Sequence, residues 1–224
     1  MQRKFKFSVG EYYHLYNRGA AKNDIFLDER DYRRFMILLF VCNNTETLHL
    51  SNIKVQQGRS LDEALNFSRL ETITDIGAYC LMPNHFHILA KERVENGISL
   101  FMKKLLTAYS MYFNKKYERT GTLFQGRFKA QHAADDRYLK YLFAYIHLNP
   151  VKIFRPLWRE KGGNIFAIKK YLDSYTYSSL KDYIGEKRQF GKILRSEVFP
   201  KYFRTTSDFI EDMNEWLAYN QEII

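Results

Sequence analysis

The chain has only two cysteines in 224 residues, Cys42 and Cys80. Each stands alone in an apolar stretch with no Cys-x-x-Cys spacing, which speaks against a disulfide framework or a structural zinc site and leaves two buried thiols. Apolar runs of the roughly 20 residues needed to span a bilayer are missing. The opening Met1-Gln2-Arg3-Lys4-Phe5-Lys6 lacks the apolar stretch of a signal peptide, so a cytoplasmic protein with no membrane partner is expected. There is no Gly-rich phosphate loop of the Walker or dinucleotide type, and no internal repeat or low-complexity stretch.

What is present is a globular composition. Hydrophobic residues make up 46% of the chain, with 17 tyrosines and 18 phenylalanines, enough for a substantial core in one main domain. The net charge of +10 and pI near 9.4 favour nucleic acid or another anionic surface as partner.

Along the chain, Tyr12 to Tyr16 is β-prone, and Asn17-Arg18-Gly19 supplies a turn. Asp28 can cap a helix through about Asn43 whose apolar positions Tyr32, Phe35, Met36, Leu39 and Phe40 recur at helical spacing. The segment 44–69 is polar and reads as an insertion with one short helix around Leu61 to Phe67. Thr72 to Leu81 and Phe86 to Lys91 read as a hairpin turning at Met82-Pro83-Asn84. Asn96 can cap a long helix with an apolar stripe from Ile98 to Phe113, leaving at Gly121. Thr122 to Ala133 has extended character. Asp135 or Asp136 can cap a helix from Arg137 to Asn149 that Pro150 should end, because the residue before a proline is pushed out of the helical region. The tail is helical in pattern from about Ser207 to Gln221. The order β-α-β-β-α-β-α predicts an α+β sandwich with a central antiparallel β-sheet covered by α-helices.

Two features carry chemistry. In Cys80-Leu81-Met82-Pro83-Asn84-His85-Phe86-His87-Ile88-Leu89, strand alternation puts His85 and His87 on one face and Phe86 and Ile88 on the other, a pair of potential metal ligands. Taken alone, such a pair is more often structural. In Tyr145-Ile146-His147-Leu148-Asn149, Tyr145 and Asn149 share a helix face; taken alone, Tyr138, Tyr141 and Tyr145 are more often a stripe of aromatic packing.

Together these motifs resemble the HUH-type single-tyrosine DNA transposases, IS200-like, and most closely the REP-associated tyrosine transposases. The matching residues are Tyr16-Asn17-Arg18-Gly19, Tyr79 through His87, Tyr112-Phe113-Asn114, Gly121 with Phe124-Gln125-Gly126-Arg127-Phe128, Tyr145 through Pro150, and Tyr177-Ser178-Ser179 with Tyr183. They stand in the family's order over about residues 10 to 185. The resemblance implies a ferredoxin-like sandwich, with His85 and His87 as metal ligands, Tyr145 as nucleophile and Asn149 as accessory ligand. It implies cleavage and rejoining of single-stranded DNA next to hairpin sequences through a 5′-phosphotyrosine. Mg²⁺ or Mn²⁺ is the expected ion, since imidazole and oxygen donors around a phosphate suit either.

For the DNA itself, Lys103, Lys104, Lys115, Lys116, Arg119, Arg127 and Lys129 could form a phosphate-binding surface beside the active site. A solvated basic face explains them equally well. His132 and His147 suit surface or supporting positions better than ligation, and His14 and His49 are assigned no role. The expected division is a nuclease domain over 1–185 and a C-terminal helical extension over 186–224, as a monomer or homodimer. The rival readings are a catalytically inactive nucleic-acid-binding module, a replication-initiator or relaxase-type nuclease, and a metal-dependent RNA-processing enzyme.

Overall fold

The computed structural model describes residues 6–45, 61–66, 71–161 and 163–222. Its centre is a four-stranded antiparallel sheet of β1 (Tyr12–Arg18), β2 (Thr74–Met82), β3 (His85–Glu92) and β4 (Lys129–His132), in the order β2-β3-β1-β4. Helices α1 (Glu29–Val41) and α2 (Gly97–Lys116) cover one face. Helix α3 (Asp136–Leu148) covers the other. This is the ferredoxin-like order with both crossover helices on one side: the α+β sandwich that the element order predicts, in the form that the resemblance implies.

Strand period decides which side chain meets which layer. Phe86 and Ile88 of β3, with Tyr79 and Leu81 of β2, are buried among Phe35, Phe101, Leu105 and Tyr109. Ala78, Cys80, Met82 and Leu89 point the opposite way, toward Leu142, Phe143 and Ile146 of α3. A bulge between Ile76 and Ala78 shifts the register of β2 by one residue. Gly77 stands in that bulge because a Cβ there would lie 2.6 Å from two carbons of the Phe199 ring.

Local chemistry sets the element ends. Asp28 accepts from Asp31 N at 3.1 Å while the Asp31 carboxylate accepts from Asp28 N at 3.3 Å, a closed capping box for α1. Helix α1 stops at Val41 rather than Asn43, whose buried amide is used otherwise. It donates to Thr74 O and accepts from the Ile73 and Thr74 N–H groups, tying the helix exit to the start of β2.

Three expectations need correction. Asn96 does not cap α2 with its side chain: its backbone is left-handed, φ 60°, and Glu92 accepts the Ile98 N–H at 2.7 Å instead. The extended stretch 122–133 forms a strand only over Lys129–His132, with an isolated antiparallel bridge between Gly19 and Phe124 before it. Pro150 does end α3, but not by expelling Asn149 from the helical region. Asn149 stays helical at φ −55°, ψ −39°, and the chain re-enters a short helix α4 (Val151–Phe154) around the proline's missing N–H.

Of the insertion, residues 44–45 and Leu61–Asn66, a 3-10 turn, are described; the rest of that expectation, and His49, lie outside the described residues. After α4 come α5 (Trp158–Lys161), α6 (Ile165–Ser174), α7 (Leu180–Tyr183) and α8 (Thr206–Glu222). Residues beyond 185 add to both cores: Ile193 is buried in the first, and Phe199, Phe209, Met213 and Leu217 in the second. Among the described residues no helix is long and apolar enough to cross a membrane.

Candidate active site

On the face opposite α1 and α2, an open cleft of about 280 Å³ is lined by Tyr16, Asn17, Arg18, His85, His87, Gln125, Lys129, Tyr145, Asn149 and Lys152. Strand β3 delivers the two histidines and α3 delivers Tyr145 and Asn149, so the two motifs read from sequence meet in one place.

The hairpin turn fixes His85. Segment 19–26 wraps the turn, with Gly19 N–H donating to Asn84 O and the Ile25 and Phe26 N–H groups donating to Pro83 O. Gly19 is required for this approach, because a Cβ there would lie 2.1 Å from Asn23 O. The Asn84 amide nitrogen donates to Lys22 O at 3.1 Å, which turns its carbonyl oxygen toward His85 Nδ1 at 2.6 Å. An amide oxygen only accepts, so His85 carries its proton on Nδ1 and keeps the Nε2 lone pair. His87, 6% exposed, pairs through Nδ1 with His14 Nε2 at 2.8 Å, so Nε2 is the ring nitrogen it too has left.

Burial lowers the pKa of all three imidazoles. That of His14 falls to about 4 and that of His85 to about 4, the latter also by the nearby charges of Arg18 and Lys152. His87 lies well below the ordinary value through burial first, then the neighbouring His14, His85 and Lys152. Neutral imidazoles are the form that ligates metals.

Tyr145 packs edge-on against both inner rings, with centroid separations of 5.5 Å to His87 and 5.6 Å to His14. The Lys152 ammonium lies 5.5 Å from the Tyr145 ring centroid. Asn149, 2% exposed, donates from its amide to Tyr145 O at 2.7 Å, and its Oδ1 accepts from Lys152 Nζ at 3.3 Å. Helix α3 is pinned beneath by His147, fully buried, whose Nε2 pairs with Ser179 Oγ at 2.7 Å. Ser179 Oγ in turn accepts the Tyr79 N–H of β2 at 2.9 Å. Thus the Tyr177-Ser178-Ser179 motif anchors the helix that carries Tyr145.

Of the seven basic residues expected to face DNA, Lys129 alone lines the cleft. Lys103, Lys104, Lys115 and Lys116 sit on α2, behind the opposite sheet face, and Arg119 follows that helix with its guanidinium over Phe113. Lys116 is held by Asp28 and Asp31 at 2.7 Å each, and Lys104 donates to Asn44 O. Arg127 is exposed outside the cleft lining. His132 pairs with Glu11 and stacks on Tyr13, on the far side of the sheet from His14. The residues that sequence reasoning passed over are His14, Arg18 as a cleft cation, and Lys152. A signal for His14 existed: it alternates with Tyr16 in β1 as His85 does with His87 in β3.

The residues present suit a divalent cation. Two neutral imidazoles with Nδ1 already engaged, His87 buried and His85 partly so, lie beside an amide oxygen as N, N and O donors, and no group of three or more His, Cys, Asp or Glu side chains that could hold a metal ion occurs among the described residues.

The family model described as "Transposase IS200 like" matches residues 38–149, half of the chain, a span that contains both histidines, Tyr145 and Asn149. A solved REP-associated tyrosine transposase bound to a REP hairpin is similar at 15% identity, covering 84% of this chain and 88% of its own, with a TM-score of 0.47. A protein assigned as a transposase from Deinococcus radiodurans R1 is also 15% identical, covering 65% of this chain and 95% of its own at a TM-score of 0.34. No curated protein matches. The chain belongs to the IS200-like transposase family.

Proposed function

We propose that this chain cleaves and rejoins single-stranded DNA beside hairpin sequences, with Tyr145 as nucleophile and Mg²⁺ or Mn²⁺ held by His85, His87 and Asn149. The observation that carries the reading is the convergence of those four side chains from β3 and α3 on one cleft. The ion's contribution when bound is to polarise the scissile phosphate and offset charge growing on its oxygens.

The chain's own residues supply the rest. The Tyr145 phenol loses its proton as its oxygen bonds to phosphorus; the bond from phosphorus to the 3′ oxygen breaks, and that oxygen leaves as a 3′-hydroxyl after taking a proton. The product is a 5′-phosphotyrosine that retains the phosphodiester energy for rejoining. A phenol, with a reference pKa of about 10, needs help to ionise, and Lys152 over the ring places positive charge where phenolate character develops. Arg18, Lys129 and Lys152 make the cleft lining basic, in keeping with a strand of phosphates. The hairpin preference rests on the motif resemblance, and the net charge of +10 supports only nucleic-acid binding in general.

The test is incubation of the purified chain with labelled single-stranded hairpin oligonucleotides from the flanks of its own gene, with Mn²⁺ or with chelator, followed by denaturing electrophoresis. A covalent band that needs Mn²⁺ and disappears in Tyr145→Phe is expected. Tight binding with no band for any flank hairpin would favour a binding-only module, and preference for matched RNA hairpins would favour RNA processing.

A further inference from the structure

His14 is 5% exposed and touches both halves of the site: its Nε2 lies 2.8 Å from His87 Nδ1, and its ring meets the Tyr145 ring at 5.6 Å and 77°. It also packs 5.1 Å from Tyr16, which stands opposite His87 in the strand register. A neutral imidazole has one N–H and one lone pair, so a nitrogen–nitrogen hydrogen bond has two possible arrangements. If His14 donates, His87 carries its proton on Nε2 and presents no lone pair to the cleft. If His87 donates, its Nε2 is free to ligate, and His14 carries its own proton on Nδ1. His85 faces no such choice, because its partner is the Asn84 carbonyl oxygen, which only accepts.

We propose that His14 is a positioning residue: it accepts the His87 Nδ1 proton, fixes the tautomer that turns the His87 Nε2 lone pair into the cleft, and braces Tyr145 against that same ring. Partners that fix the tautomer of a ligating histidine commonly govern metal affinity. The inference deepens the proposed function and rests on His87 being a ligand.

The test uses the full chain without metal and reads the histidine nitrogens by long-range ¹H–¹⁵N correlation. A protonated Nδ1 and unprotonated Nε2 are expected at His87, and the reverse would overturn the proposal. Mn²⁺ titration followed by electron paramagnetic resonance supplies the second reading. His14→Leu, which cannot accept, should weaken Mn²⁺ binding by roughly 10–100-fold. His14→Gln, whose amide oxygen can take the place of Nε2, should retain binding close to that of the unaltered chain. Unchanged affinity in a folded His14→Leu chain contradicts the proposal. So does lost affinity in a folded His14→Gln chain, since an acceptor would then not be what His14 supplies. If the unaltered chain takes up no Mn²⁺, the proposed metal centre falls, while the nitrogen shifts still decide the tautomer; the two failures are told apart.

Discussion

The two faces of the sheet are made from the same strands and do opposite work. Toward α1 and α2, β3 presents Phe86 and Ile88, both fully buried among aromatic and aliphatic side chains. Toward α3, the alternate residues His85 and His87 line an open cleft with a tyrosine, an amide and lysines. One face holds the strand in place and the other uses the rigidity so obtained. Residues one position apart therefore differ in what their loss should cost, one in chemistry and its neighbour in stability.

The largest effects should come from the cleft face. Tyr145→Phe is expected to abolish the covalent DNA adduct and leave the melting temperature nearly unchanged, because the ring and its packing remain; gel assay and thermal denaturation check the two halves. His85→Ala should likewise remove Mn²⁺-dependent cleavage while the chain stays folded, since His85 is only partly buried at the mouth of the cleft. Lys152→Met keeps the length of the side chain and removes its charge. It should slow adduct formation by roughly 100-fold, the scale seen when one preorganised charge-stabilising donor is lost, measured in single-turnover time courses.

Phe86→Ala tests the opposite face. Emptying a fully buried aromatic site costs about 3–5 kcal/mol, which in a domain of this size lowers the melting temperature by on the order of 10 °C. Below that temperature adduct formation should be preserved, and a Phe86→Ala chain that is stable but inactive would break the division between faces. The smallest effect separates two lysines. Lys129→Ala should weaken single-stranded DNA binding and lower the salt dependence of affinity by about one phosphate contact. Lys103→Ala, exposed on α2 behind the other face, should change neither.

That last contrast marks where the sequence stopped being readable. Period-two alternation is local, so the separation of His85 and His87 from Phe86 and Ile88 was legible in a run of ten residues. The shared face of Tyr145 and Asn149, and the Asp28 cap of α1, were legible for the same reason. Which sheet face a helix covers is settled by crossover topology, and nothing in the spacing of Lys103, Lys104, Lys115 and Lys116 reveals that α2 lies behind the site. Asn96 was misread because the residue type suits a helix cap while its backbone is left-handed and Glu92, in the preceding strand, does the capping. His14 escaped because its partner His87 is 73 residues away in sequence and meets it only across the β1–β3 ladder. The part of His147 in holding α3 to β2 through Ser179 is equally a product of tertiary packing.

Four tyrosines crowd this end of the molecule. Tyr145 is 5.7 Å from Tyr141 between ring centroids, Tyr141 is 6.2 Å from Tyr138, and Tyr16 lines the same cleft. The most direct measurement is therefore mass spectrometry of the protease-digested adduct formed with a single-stranded hairpin oligonucleotide and Mn²⁺, locating the nucleotide-bearing residue. The account predicts the added mass on Tyr145 alone. The same mass on Tyr16, Tyr138 or Tyr141 would contradict the assignment of the nucleophile.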